Sequence, residues 1–87
     1  MAVSDEDLTD LAADELAQAL TMSWRELIRV TPWGDVYQAL ARGGDEAEVE
    51  RNYLWFKDAG GDVMIEVTAR DGEREARAFG VVRRDEV

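Results

Sequence analysis

The side chains in this sequence that could do chemistry are carboxylates and a few hydroxyls. The chain contains no His and no Cys, which removes the usual general base at neutral pH, the thiolate nucleophile and the commonest transition-metal ligands. The candidate hydroxyl nucleophiles are Ser4 and Ser23, but each stands where it would cap a helix, and no imidazole is present to activate it. We therefore expect no enzymatic activity and no catalytic residues.

The spacing of the acidic residues gives no better support for carboxylate catalysis or for a bound group. A carboxylate pair does acid–base work only in a pocket that raises one pKa, and a chain of 87 residues has little volume for one. The acidic segments lack the Asp-x-Asp-x-Asp-Gly spacing of a calcium loop. The Gly-Gly pairs at 43–44 and 60–61 lack the lysine and following helix of a phosphate loop. We expect no metal and no cofactor.

The net charge of −10, from 20 acidic and 10 basic residues, constrains the binding partners most strongly. Nucleic acids and anionic membranes require a cationic surface, so we expect neither as a direct ligand. The sequence has no apolar run long enough to span a membrane and no signal-peptide pattern at its start. With the absence of Cys, this predicts a cytoplasmic protein. Nine of the ten basic residues are Arg, which suggests a GC-rich bacterial or phage genome.

Two N-terminal helices are predicted from capping boxes and apolar spacing. The segment "SDED" at 4–7 places Ser4 as the cap of an amphipathic helix over about 5–20 with an acidic outer face. The apolar steps of four residues continue to Ile28, which in one straight helix would rotate the stripe by roughly 200°. A second capping box, "SWRE" at 23–26, instead starts a separate helix over about 24–30. The length predicts one domain over 1–87, with 1–4 and 85–87 frayed.

The segment 32–42 allows two interpretations. Thr31-Pro32 and the spacing of the apolar residues that follow would suit a third helix on a three-stranded sheet. A strand over about 35–42 is favoured because Gly-Gly at 43–44 suits a two-residue turn. Residues 34–47 are also echoed at 61–76, where the pattern is that of a β-hairpin.

Three more strands are predicted at about 46–57, 62–70 and 73–83. Asp71-Gly72 signals a two-residue turn that pairs Arg70 with Glu73, and the loop 58–60, with Gly60 left-handed, pairs Lys57 with Gly61. These registers place Val63, Ile65 and Val67 on one face with Ala76, Ala78 and Gly80, whose small side chains would let a helix approach. The predicted fold is α+β, with two helices packed on a four-stranded antiparallel β-meander.

The predicted registers also determine which apolar residues face away from the helices. The Gly43-Gly44 turn puts Val36 and Leu40 on the core face with Tyr53 and Trp55. The Asp71-Gly72 turn pairs Glu66 with Arg77 on the second face. Five apolar residues remain on that second face: Leu54, Phe56, Met64, Phe79 and Val81. If the loop after residue 57 had an even number of residues, Tyr53 and Trp55 would replace Leu54 and Phe56 on the second face. The second face is either covered by a helix or exposed as a contact surface for another protein.

Two functional hypotheses follow for a non-enzymatic protein. In the first, the chain is a protein-binding module, an adaptor or assembly component, whose partner is another protein and which forms a homodimer through the apolar second face. In the second, carboxylates on the first helix mimic nucleic acid and block the basic site of a nucleic-acid-binding protein. The residues assigned to that acidic surface are Asp7, Asp10, Asp14 and Glu15. The simpler alternative is a solvated helix face that confers solubility.

Overall fold

The computed structural model describes residues 3–84 and shows the predicted α+β architecture. The elements in chain order are α1 (Asp5–Ala19), α2 (Trp24–Leu27), β1 (Trp33–Leu40), β2 (Glu46–Trp55), β3 (Val63–Asp71) and β4 (Arg74–Val82). The strands form one antiparallel sheet in the order β1-β2-β3-β4. The meander is therefore confirmed, and residues 33–40 form a strand rather than part of a third helix.

Serine side chains begin both helices, as the capping boxes predict. The Ser4 hydroxyl accepts the Asp7 backbone N–H at 3.1 Å. Ser23 and Glu26 satisfy each other's backbone N–H groups at 3.2 and 2.9 Å, and the bond from the Ser23 N–H lowers the pKa of Glu26. α2 is shorter than the predicted 24–30, because residues 28–30 form turns.

Val3, which was expected to be frayed, is buried, and its N–H donates to Asp71. The remaining expected frayed positions, 1–2 and 85–87, lie outside the described residues.

The core lies between α1 and one face of the sheet, mainly over β3 and β4. Its largest fully buried side chains are Leu8, Leu27, Val49, Val63, Ile65 and Val67. Small residues on β4 allow the helix to lie close, as the sequence predicts: a Cβ built on Gly80 would lie 3.3 Å from Leu20 Cδ2. The predicted register between β2 and β3 is also confirmed, with Tyr53 opposite Ile65 and Trp55 opposite Val63. Gly60 has φ +83°.

The face predicted for Val36 and Leu40 is wrong. Ala41 N–H donates to the Asp45 carbonyl at 2.9 Å, so the β1–β2 loop has three residues, 42–44, instead of two. A change of one residue in register turns every side chain of a strand to the opposite face. Val36 consequently lies opposite Glu50 and Leu40 opposite Glu46. Both project from the second face and are exposed, at 55% and 66%.

The β3–β4 register is shifted by two residues from the prediction. Arg70 pairs with Glu75 instead of Glu73, because Asp71 continues the strand and Gly72, with φ +63°, enters the turn. Asp71 is held there by the Val3 N–H and by Arg74, at 2.8 and 3.3 Å. A shift of two residues keeps each side chain on its predicted face. It does remove the predicted Glu66–Arg77 pair, and Glu66 now lies opposite Phe79.

Candidate functional site

The five apolar residues predicted on the second face of the sheet lie together at one end of it. Leu54, Met64 and Val81 occupy opposing positions on β2, β3 and β4. Phe79 lies two positions along β4 from Val81, and Phe56 directly follows β2, where its N–H donates to the Asp62 carbonyl at 2.8 Å. We call these five residues the apolar cluster.

Nothing within residues 3–84 covers the apolar cluster. Phe79 is 70% exposed, Leu54, Phe56 and Val81 are also exposed, and Met64 is half-buried. Both helices contribute their buried residues to the core on the opposite face. The alternative of a sheet sandwiched between helices is therefore not the arrangement of the described chain. A contiguous exposed group of aromatic, Met and branched side chains is typical of a contact surface.

Ion pairs lie towards the other end of the same face, where Arg70 is opposite Glu48 and Glu75. Arg70 lies 3.1 Å from Glu48, 2.9 Å from Glu50 and 3.6 Å from Glu75, while Arg77 lies 3.1 Å from Glu75. Hydrogen bonds from Asn52 and then from Arg70 lower the pKa of Glu50, and Glu50 and Glu48 raise the pKa of Arg70. The second face is thus divided into an apolar end and a charge-paired region.

The acidic surface predicted on α1 is partly neutralised by a loop. Arg42, in the β1–β2 loop, lies 3.4 Å from Asp10 and 3.2 Å from Asp14. The hydrogen bond with Asp14 and the charge of Asp10 raise the pKa of Arg42. Asp7 is partly exposed near the same loop, where a Cβ on Gly43 would lie 2.8 Å from its Oδ2. These three carboxylates share one side of the helix, but a cation of the same chain lies among them.

Glu15 does not belong to that acidic surface. It is only 7% exposed, and its Oε2 lies 3.5 Å from Arg51 Nη2 on β2. Glu15 follows Ala12 by three residues and Leu11 by four, so helical geometry places it on the buried stripe of α1. The prediction that Glu15 is exposed for partner binding is therefore corrected.

The polar contact that Glu15 makes inside the core was not predicted from the sequence. The Arg51 guanidinium also lies 3.5 Å from the Gln18 amide oxygen and 5.7 Å from the centre of the Tyr37 ring. The sequence did contain a signal for this contact. Arg51 is a charged residue on the inward face of β2, and Glu15 is a carboxylate on the buried stripe of α1. Pairing makes such burial tolerable, since an isolated buried charge would be costly.

The pKa of Tyr37 is raised from 10.0 to about 12. The main cause is burial of the phenol, and the second is the neighbouring Glu15. Between these pH values the folded chain keeps the phenolic proton, whereas the unfolded chain releases it. Stability should therefore be independent of this group below pH 10 and fall as the pH rises from 10 towards 12. Ultraviolet absorbance titration should show a late tyrosine ionisation that Tyr37→Phe removes. If Tyr37→Phe removed an ionisation near pH 10 and left the late one in place, the assignment would be contradicted.

Comparison of the chain with protein-family models, with curated proteins and with solved structures finds no match. Within residues 3–84, no group of three or more acidic side chains is arranged to hold a metal ion. No helix in the same range is both long and apolar enough to cross a membrane. The apolar cluster is the most distinctive feature that the geometry offers for function.

Proposed function

We propose that this protein is a non-enzymatic protein-binding module, an adaptor or assembly component, which binds another protein through the apolar cluster and self-associates through that surface. The observation that supports this most directly is Phe79, 70% exposed beside four other apolar side chains on one end of the sheet. Removing one such side chain from water is worth about 1.5–3 kcal/mol. The proposed compartment is the cytoplasm, whose reducing conditions suit a chain without Cys.

The distribution of charge supports a second copy as the partner. α1 carries six acidic residues and no basic one, whereas Glu48 and Glu50 on the second face are paired with Arg70. α1, with its acidic side chains, packs on the opposite face of the sheet from the apolar cluster. Two copies stacked through their second faces would therefore keep both acidic helices on the outside. Sheets stack about 10 Å apart, and a helix on each outer face adds to the separation.

Self-association through the apolar cluster should persist at high salt. Apolar contact is not screened by ions, whereas attraction between exposed charges weakens as the Debye length shortens to about 3 Å at 1 M salt. Sedimentation equilibrium at low salt and at half-molar salt should give the same assembly mass. Dissociation to monomers at half-molar salt would contradict the proposal and would indicate an electrostatic contact.

Mimicry of nucleic acid is the second candidate. It is supported by Asp7, Asp10 and Asp14 on one side of α1, and weakened by the Arg42 contacts and by the burial of Glu15. Reversing the charge at Asp7 and Asp10 with Lys separates the two candidates. We expect the assembly mass to be unchanged in that variant, because both side chains lie on the face opposite the apolar cluster. If the variant lost association or partner binding, the acidic surface would become the preferred site.

A further inference from the structure

The outer edge of β1 is a second, independent feature of the sheet. β1 is a terminal strand in the order β1-β2-β3-β4. Ala41 N–H donates to the Asp45 carbonyl at 2.9 Å, and backbone groups alternate in direction along an antiparallel strand. The odd-numbered residues of β1 therefore direct their backbone groups towards β2. The even-numbered residues 34, 36, 38 and 40 direct theirs away from the sheet.

β1 lacks the features that normally protect an edge strand. Trp33–Leu40 contains no Lys and no Pro and only one charged residue, Asp35, although such residues usually discourage pairing with another chain. Trp33, Val36 and Leu40 are all exposed along it. The other edge, β4, contains Arg74, Glu75 and Arg77 and lies under α1. The described sheet thus has one protected edge and one open edge.

A single contact partly closes the open edge. The Val36 N–H, which points outward, donates to Asp35 Oδ1 at 2.9 Å. The Asp35 carboxylate accepts from one of the N–H groups that β1 directs outward. It therefore competes with the carbonyl of any strand that would pair there. The contact also agrees with the direction of the backbone groups inferred from the β1–β2 loop.

We propose that β1 pairs antiparallel with β1 of a second copy, joining two sheets into one of eight strands. The two-fold axis passes between the two Gln38 residues, so that residues 36, 38 and 40 of each copy exchange backbone hydrogen bonds. In this register Val36 faces Leu40 of the second copy, and Asp35 faces Ala41. To complete the pairing, the Asp35 carboxylate leaves the Val36 N–H, which then donates to the carbonyl of the second copy's Leu40.

The register is compatible with the charge of the chain. The two Asp35 residues are separated by six residues along the paired strands, about 20 Å. The glutamates of the two β2 strands are three strand spacings apart, about 14 Å, which exceeds the Debye length of about 8 Å at physiological salt. The acidic α1 helices lie over β3 and β4, away from the axis. A second copy therefore fits this edge despite a net charge of −10 per chain.

The two-fold axis leaves both apolar clusters on the same side of the joined sheet. Edge pairing and stacking through the apolar clusters are therefore separate contacts that can be removed one at a time. The edge contact is best measured in a chain that carries Phe79→Asp, where stacking is disrupted. Its success or failure then does not depend on the function proposed above.

Charge substitutions at Val36 and Leu40 test the register. V36K/L40K places like charges opposite each other twice, which destabilises cross-strand pairs, and should raise the dimer dissociation constant at least about tenfold. V36K/L40E places opposite charges there and should restore association. A13K/A17K on the exposed side of α1 has the same net charge as V36K/L40K and should leave the dissociation constant unchanged. Sedimentation equilibrium measures the dissociation constants of all three variants.

Asp35→Ala tests the contact at Val36. Freeing the Val36 N–H should lower the dimer dissociation constant about thirtyfold, because the two-fold contact gains one hydrogen bond of average net strength in each copy, whereas the charge-matched Glu6→Ala should have no effect. The proposal would be overturned by a Phe79→Asp chain that stays monomeric at millimolar concentration. It would equally be overturned if V36K/L40K and V36K/L40E associated alike, or if Asp35→Ala bound no more tightly than Glu6→Ala.

Discussion

Phe79→Asp is expected to halve the mass of the assembly in solution without unfolding the chain. Phe79 is 70% exposed in the single chain, so the folded monomer loses little packing. Across a two-fold contact the change occurs twice, removing two aromatic side chains from the interface and burying two carboxylates. A loss of about 3 kcal/mol or more follows, which is more than about a hundredfold in the dissociation constant. Light scattering measures the mass, and circular dichroism checks the fold.

Two controls make the result at Phe79 specific. Ala13→Asp adds the same negative charge on the exposed side of α1 and should leave the mass unchanged. Phe79→Leu keeps an apolar side chain at the site and should retain association. An unchanged mass in Phe79→Asp, with the fold intact, would exclude the apolar cluster as the self-association surface.

Glu15→Ala is expected to lower the free energy of unfolding by about 2–3 kcal/mol. The substitution leaves Arg51 largely buried without its carboxylate partner. Removing one member of a buried ion pair costs about 3–5 kcal/mol. The cost here is expected at or below the lower end of that range, because Arg51 and Glu15 are 3.5 Å apart and Arg51 keeps its contact with Gln18. For a chain of this length the loss corresponds to a fall of roughly 10–20 °C in the melting temperature. Chemical denaturation and calorimetry measure both quantities.

The exposed Glu6 provides the matched control for Glu15. Glu6→Ala makes the same change in charge within the same helix and should alter stability by less than about 0.5 kcal/mol. Replacing both Glu15 and Arg51 by Met should recover most of the loss, because an apolar pair of similar volume needs no charge partner. If Glu15→Ala were as stable as Glu6→Ala, the ion pair would not contribute to the fold.

The sequence was informative wherever residue type and spacing both restrict the backbone. Ser4 and Ser23 mark the helix starts because their hydroxyls satisfy N–H groups that the helix cannot. The β2–β3 register followed from Gly60, whose positive φ few other residues adopt. Since that register was correct and the β3–β4 register differed by two residues, which leaves every side chain on its predicted face, the residues of the apolar cluster could be identified from the sequence alone.

The face of β1 could not be determined in the same way. Gly43-Gly44 is compatible with loops of two or three residues, and the choice between them reverses the faces of the strand. Burial could not decide either, because β1 has apolar residues on both faces: Val36 and Leu40 on one, Tyr37 and Ala39 on the other. The burial of Glu15 was overlooked for a different reason. Its charge suggested the surface, although its position relative to Leu11 and Ala12 placed it on the buried stripe.

The most direct test of self-association through the apolar cluster is an isotope-filtered NMR measurement on an equal mixture of labelled and unlabelled protein. It detects contacts only between copies. We expect nuclear Overhauser effects from the Met64 methyl group of one copy to the Phe79 and Phe56 rings of another. The claim would be contradicted if intermolecular effects came only from Val36 and Leu40 or from α1, or if none were seen at concentrations where the assembly forms.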